Sequence, residues 1–580
     1  MAPPGPAAEL PGKYFHLMEA AIGAIEQPLT SDPLPSLKSL ETRPGWRHFP
    51  SALLVAAVLY ARQHPANPRY GDARMLSLAL RIGDLLAREN EQGNFTARLD
   101  HHRDTYMWLE AYRLLERELG EPRRMRWRRQ IESNVAELAQ ATAQRQDRPA
   151  YQSPFLGTSP NHFSLWASTV YLAGRVFGNK EWERLGGRVM HRFAVEELSP
   201  DGYWGEHSSA GPTTGYNYLT AAGLALYWEH SHDPAALEAL RRATDFHKYF
   251  TYPNGQPVEL LDDRRRHVYV SPWAHYGFSN FPDGRRYAEF LTSFYRPGEL
   301  RLEHLGRVAQ NALYYHEGPL APIPQDGTSY KHRLNVPAAI RKSGPWVVCL
   351  SGLISTQALT SQYYLDRQGH LSIFHERLGL IVTGANSKRQ PELATFWEKV
   401  QGQVLHLPLS SRLRMSDASD RLALAYQSFF SILEVPAPSV NRLALRFTIA
   451  RRGGSGEAQL NLQLCLKAGE ALETGAGRRL VLGGDEISLG PQELAGWLRH
   501  SGWTLHFDSR ARLTWPVYPY NPYADGPEKE IEHAVGLLSF PLRSRREAES
   551  EGRNGVQEIA FTLEADNGGR QAARPARREK

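Results

Sequence analysis

From residue 14 to residue 316 the chain repeats one pattern: apolar positions three and four apart, in segments of similar length, separated by short Gly, Pro, Asn or Asp breaks. That period predicts helices near 14–27, 50–64, 72–90, 103–119, 122–144, 162–178, 180–196, 216–230, 234–249 and 300–315. Helices of even length in succession suggest hairpins side by side, and no fixed repeat period marks a solenoid. Glycine-containing, aromatic-rich loops at alternate junctions favour a ring of hairpins, an α/α toroid, whose loops gather at one mouth. The stretch 250–298 breaks the pattern; it is irregular and aromatic, and a loop of that length in a helical domain is usually functional.

After the Pro-rich stretch APIPQDGTSYKHRLNVP (321–337) the period drops to two. Alternating runs at 346–355, 370–376, 378–384, 422–435, 443–452, 458–467, 503–508, 533–542 and 556–565 read as strands at sandwich-like spacing. The expected fold is α+β and multidomain. An N-terminal α/α toroid (an incomplete helical barrel) over 13–335 is followed by an antiparallel β-sandwich over 336–565. Residues 1–12, rich in Pro and Ala, and the arginine-rich 566–580 are expected to be disordered ends.

Composition changes this picture little. An apolar fraction of 41% over 580 residues is that of a folded protein with a large core. Two cysteines, Cys349 and Cys465, exclude a disulfide scaffold and offer no zinc spacing. A net charge of +6 is mild, and basic residues are scattered apart from RRMRWRR (123–129) and RRR (264–266), so neither nucleic acid nor membrane is expected as a partner. The longest apolar stretch, SALLVAAVLYA (51–61), is too short to span a bilayer. No basic start followed by an apolar run opens the chain, so a cytoplasmic location is expected, or a secreted or periplasmic one if an export signal has been removed. No P-loop, strand-borne G-x-G-x-x-G or G-x-S-x-G elbow occurs, which argues against nucleotide enzymes, dehydrogenases and serine hydrolases. No cofactor or metal is expected.

Three stretches carry candidate chemistry. DGYWGEHSSAGPTTGYNY (201–218) is a glycine-rich loop with Glu206 and His207, running into a helix that begins near Tyr216. Histidine titrates near neutrality and a phenol can exchange a proton, so the pair suits removal of one weakly acidic proton and return of another to a leaving oxygen. SPNHFSLW (159–166) reads as a helix entry with Asn161 and His162 in the first turn, where the positive helix end favours an anion; Asn161 also reads as an ordinary N-cap. RLDHHRDTY (98–106) places His101, His102 and Arg103 at another helix start, read as a sugar-binding rim rather than a metal site, since the i, i+4 zinc spacing is missing. Trp108, Trp166, Trp204 and Trp273 could stack on sugar rings, Trp204 above all, although most tryptophans in a toroid are core. In the β region, a polar GANSKRQPE insert brings His375, Glu376, Asn386 and Lys388 into consideration, a plain hairpin loop being the alternative.

A helical toroid followed by an antiparallel β domain resembles the polysaccharide lyases that include chondroitin AC lyase, hyaluronate lyase, xanthan lyase and the heparinase II/III-like enzymes. In the chondroitin AC branch an Asn on an earlier helix precedes a His and a Tyr across a loop-to-helix junction. NHFSLW (161–166) and GEHSSAGPTTGYNY (205–218) supply Asn161, His207 and Tyr216 in that order, and HERLGLIVTGANSK (375–388) is similar to heparinase II/III-type sequences. The resemblance implies β-elimination on an acidic, glucuronate-type polysaccharide, leaving a 4,5-unsaturated uronide end. Asn161, with His162 beside it, would neutralise the uronate carboxylate. Tyr216 would act as base, acid or both, and His207 would take the proton or activate the phenol. The Arg and Glu that the chondroitin branch also uses have only Arg264 to Arg266 and Glu206 as candidates here.

Two other readings stay open. A glycoside hydrolase on an α/α toroid needs two carboxylic acids across the cleft, and Asp100, Asp104, Asp201, Glu206 and Asp262 supply enough. A non-catalytic glycan-binding protein would use the same aromatics and arginines without turnover.

Overall fold

A computed structural model describes residues 9–29, 35–43, 46, 48–95, 102–145, 160–205, 211–262, 269–354, 369–384, 390–453, 456–521, 530–542 and 556–566. The chain forms two compact units. One holds residues 1–251, 255–257 and 269–326; the other holds 252–254, 258–268 and 327–580.

The first unit is helical. Its elements are α1 (Gly12–Glu26), α2 (Leu37–Glu41), α3 (Pro50–Ala61), α4 (Ala73–Glu91), α5 (His102–Leu115), α6 (Gly120–Arg145) and α7 (Pro160–Phe177). They continue with α8 (Lys180–Arg192), α9 (Thr214–Ser231), α10 (Pro234–Tyr249), α11 (His275–Phe278), α12 (Pro282–Thr292) and α13 (Leu302–Tyr314). Helices α3, α5, α7, α9, α11 and α13 each pack on the next, and α13 packs back on α3. Helices α4, α6, α8, α10 and α12 form an outer layer, while α1 lies against α3 and α13. This is the α/α toroid. With only four residues, α11 is a stub, which leaves the helical barrel incomplete on that side. Inner helix α3 is apolar all round and buried at every residue from Pro50 to Leu59, as a helix enclosed on all sides must be. Among the described residues no helix is long and apolar enough to cross a membrane.

The inner helices are parallel, because contacts advance together along them. A Cβ on Gly223 of α9 would lie 2.9 Å from the Ser164 backbone of α7, and further along the Tyr227 and Tyr171 rings meet at 4.9 Å. Gly306 of α13 lies against Ser51 of α3 and Met107 of α5, and later on the same helices Arg113 Nη2 donates to Tyr314 Oη at 3.3 Å. Helix N-termini therefore gather at one end of the ring and C-termini at the other.

Alternate members of the ring also meet across its axis. At the C-terminal end the fully buried Glu110 of α5 accepts from Tyr314 of α13 at 2.9 Å and pairs with Arg113 at 2.5 Å. His230 Nε2 of α9 lies 3.0 Å from the same Tyr314 hydroxyl. Deeper in the ring, Gln310 donates to Tyr276 at 3.0 Å, and Tyr276 donates to the Ala222 carbonyl at 2.7 Å. Hydrogen-bonded polar side chains thus link α5, α9, α11 and α13.

The second unit contains β1 (Ser329–Arg333), β2 (Ala338–Ser343), β3 (Trp346–Ser351), β4 (Leu371–His375), β5 (Gly379–Thr383), β6 (Phe396–Val400), β7 (Gln403–Leu405), β8 (Ser410–Met415), β9 (Ser419–Ala425) and β10 (Phe429–Pro436). Then follow β11 (Arg442–Arg451), β12 (Ala458–Leu464), β13 (Ala471–Thr474), β14 (Arg479–Val481), β15 (Ile487–Leu489), the short α14 (Pro491–Leu494), β16 (Trp497–His500), β17 (Trp503–His506), β18 (Arg512–Val517), β19 (Val535–Pro541) and β20 (Val556–Ala565). One sheet runs β1-β2-β3-β4-β5-β12-β19-β18-β15 with β6 and β7 beside β12; the other runs β14-β13-β16-β17-β20-β11-β10-β9-β8. Pairing is antiparallel between neighbours, and residues of both sheets share one apolar core that includes Ile373, Leu460, Leu433 and Phe447. The run 422–435, read as one strand, is two strands of a hairpin, because the chain turns back where the Tyr426 N–H donates to the Phe429 carbonyl at 2.8 Å.

Candidate active site

The N-terminal end of the ring collects the positive ends of α3, α5, α7, α9 and α13, where unpaired backbone N–H groups favour an anion. Asn161 stands in the first turn of α7. It is 2% exposed, and neither its Nδ2 nor its Oδ1 has a hydrogen-bond partner among the described residues. A buried amide with nothing to bond costs about 1–3 kcal/mol, and among the described residues Asn161 is not a satisfied N-cap. His162 beside it is half-buried and engaged with a neighbour.

Tyr216 is the third residue of α9 and is half-buried. Counting back along the parallel pair, Asn161 lies three residues before Ser164 and Tyr216 seven before Gly223. At 1.5 Å per residue the two are offset by about 6 Å along the helix direction, both at the same mouth.

The start of α9 is fixed from below. Trp204 N–H donates to Asn217 Oδ1 at 3.0 Å, and Asn217 Nδ2 donates to His247 Nε2 at 3.1 Å. His247 must therefore be neutral at Nε2, and its burial pushes its pKa down to about 3. Its ring stacks on Tyr218 at 3.7 Å. Two isolated bridges join Leu198 with Trp204 and Gly205 with Pro212. The turn inside the first bridge needs glycine: Gly202 has φ +85, and a Cβ there would meet the Arg242 carbonyl at 2.2 Å.

Other sequence candidates fare differently. Trp204 is 3% exposed and donates its indole N–H to the Phe193 carbonyl at 2.9 Å, so it is packing rather than a stacking platform. Trp108, Trp166 and Trp273 are also buried. His375 lies on β4 at 5% exposure, edge-on to Trp346 at 4.6 Å; burial and the nearby Arg377 push its pKa down to about 4. It is a neutral core histidine, not a sugar ligand. His101, Glu206, His207, Arg264, Asn386 and Lys388 lie outside the described residues, as do the side chains of His102 and Arg103, whose backbone opens α5.

The structure adds residues that the sequence reading passed over. His48, just before α3, sits between two acids, with Nδ1 3.3 Å from Asp104 and Nε2 3.5 Å from Glu303. Asp104 is 1% exposed and lies within hydrogen-bond reach of His48. Arg307 of α13 lies 3.7 Å over the Trp273 ring. No local pattern signals these groupings, since their members come from distant helices. Asn217, adjacent to Tyr216 at a helix start, is the one that the local sequence could have flagged. Among the described residues no group of three metal-ligating side chains comes together.

No family model matches the chain, and no curated protein does. Among solved structures, a mutant of the heparan sulfate lyase HepC from Pedobacter heparinus aligns over 96% of this chain and 90% of its own, with 9% identity and a TM-score of 0.48. Chondroitin AC lyase from Streptomyces coelicolor A3, in complex with chondroitin sulphate, aligns over 97% of this chain and 80% of its own, with 12% identity and a TM-score of 0.49. Heparinase III aligns over 97% and 92%, with 12% identity and a TM-score of 0.46. At these values every residue assignment rests on this chain's own geometry.

Proposed function

We propose that the protein is a polysaccharide lyase that cleaves a uronic-acid-containing chain by β-elimination. The observation that carries this reading is the unpartnered amide of Asn161, buried in a helix first turn at the same mouth as Tyr216. Elimination breaks C5–H and C4–O and forms C4=C5, and charge builds on the carboxyl group attached to C5. The Asn161 amide would donate to that carboxyl group as the enolate forms, with the positive helix ends adding to the field. Tyr216 would exchange the proton, taking it from C5, delivering it to the departing O4, or both.

His207 is proposed as the partner of Tyr216 in that proton transfer. Glucuronate is the expected uronic acid, and His162 is expected to assist at the carboxyl group. His101, His102, Arg103, Glu206, Arg264 and Asn386 are proposed as contacts to the rest of the glycan.

The test is ultraviolet absorbance on heparin, heparan sulfate, chondroitin, hyaluronan, alginate, gellan and rhamnose–glucuronate gums. A C4=C5 double bond conjugated with the carboxyl group absorbs, whereas a hydrolytic product does not. A rise that Tyr216→Phe abolishes is the expected result. New reducing ends without absorbance would establish a glycoside hydrolase, and saturable binding with no product a glycan-binding protein.

A further inference from the structure

The second sheet of the β unit ends at β8, and the alternation of this strand turns Leu413 inward while Arg412 and Arg414 stay exposed. Antiparallel register sets Arg414 directly opposite Arg421 of β9. Arg421 faces Glu434 of β10, which faces Arg446 of β11. These four side chains form one row across four strands spaced about 4.8 Å apart, and Arg412 stands one step along β8 on the same face.

The acids nearby are already taken. Glu434 pairs with Arg446 at 3.0 Å, and Arg446 also lies 3.9 Å from Glu558. The two acids at the turn of the β8–β9 hairpin are engaged as well, Asp417 with Lys331 at 2.5 Å and Asp420 with Arg341 at 2.6 Å. The side chains of Arg412, Arg414 and Arg421 make no ion pair or hydrogen bond among the described residues. Charge on an edge strand guards against edge-to-edge pairing, which accounts for β8. It does not account for Arg421, on an inner strand between the like charge of Arg414 on one side and, on the other, Glu434, which already pairs with Arg446; a like charge directly opposite destabilises the pair. A bound polyanion removes that cost. Beside the row the face carries mostly small side chains, Ala423 opposite Arg412 and Ala444, Ala450 and Ala560 on the strands beyond, with Ile432 and Phe430 of β10 its larger members. An extended chain can therefore lie across the strands and meet guanidinium forks, which bind carboxylate and sulfate in a bidentate way.

We infer that the outer face of β8 to β11 is a binding surface for an acidic polysaccharide, built from the β unit alone. The choice of polysaccharide rests on the lyase reading; the demand for a polyanion does not.

The test uses the full chain with Arg412→Gln, Arg414→Gln and Arg421→Gln combined. A control of equal charge loss carries Arg74→Gln, Arg124→Gln and Lys180→Gln on exposed helical positions. Binding to long heparan sulfate and chondroitin sulfate chains is read by salt elution from the immobilised polymer and by titration, with thermal melts to confirm folding. Three exposed contacts predict a loss of about tenfold in affinity and earlier elution for the first variant only. Equal retention of the first variant and the parent would overturn the proposal, as would equal losses in both variants. Duplex DNA held as tightly as the glycans and released by the same substitutions would overturn the choice of polysaccharide. Binding is read without turnover, so absence of elimination in the parent would sink the lyase reading and leave this measurement standing.

Discussion

At Gly223 a hydrogen atom stands where any other residue would place a methyl group against the Ser164 backbone of α7. The close approach sets the spacing between the helix that carries Asn161 and the one that carries Tyr216. Gly223→Ala is expected to cost about 1–3 kcal/mol through forced separation, read as a lower melting temperature, and to reduce turnover beyond what the stability loss explains. Asn161→Ala should separate the two quantities. Turnover should fall by about 10²–10³-fold, as for loss of one oxyanion donor. The melting temperature should hold or rise, because an unpaired buried amide has been removed; a clear drop would mean that Asn161 has a structural partner. Sequence alone located Asn161 and Tyr216 at helix starts, because glycine, proline and serine punctuate those junctions. It could not tell that Trp204 faces inward, since that depends on the Phe193 carbonyl and on Asn217, both distant along the chain.

Helices with a clear apolar stripe were legible. The period of 3.6 placed ten of them within a few residues, and among the described residues the one long helix it missed was α12, hidden in the aromatic stretch 250–298. What the period cannot convey is which helices meet across the ring. Glu110 and Tyr314 are 204 positions apart, and only ring closure makes them neighbours. Tyr314→Phe removes the donor to a fully buried carboxylate and should cost about 1–3 kcal/mol, seen as a lower urea midpoint with an unchanged slope. A larger slope change would indicate that the hydrogen bonds linking α5, α9 and α13 govern cooperativity as well. In the β unit alternation was legible on β11 and β20, whose inward and outward residues alternate cleanly. Short strands such as β7, β14 and β15 have three residues each and carry no periodic signal.

Over the whole molecule the buried histidines set the response to acid. Burial pushes His247 down to about 3 and His275 and His370 to about 4, against an ordinary value near 6.5. Below 6.5 the unfolded chain binds protons at these rings while the folded chain does not, so stability is full above that pH and is lost as pH falls toward 4. Each ring contributes about 1.4 kcal/mol per pH unit in that window. Burial also pushes His230 in the helical unit and His375 in the β unit to about 4; with three of these five rings the helical unit should weaken first, with a denaturation midpoint falling between pH 6.5 and 4.5, and His247→Phe should flatten the curve. A profile flat down to pH 5 would show these rings to be protonated in the native state.

The closure of α13 on α3 also has a consequence for synthesis. Helix α3 emerges early, yet one of its walls is made of residues 302–314. At 5–20 residues per second the ribosome needs about 12–50 s to deliver them. During that interval a strongly apolar helix waits with one side uncovered, so the nascent chain is a natural client for a holding chaperone, and fragments ending before residue 302 should be prone to aggregate.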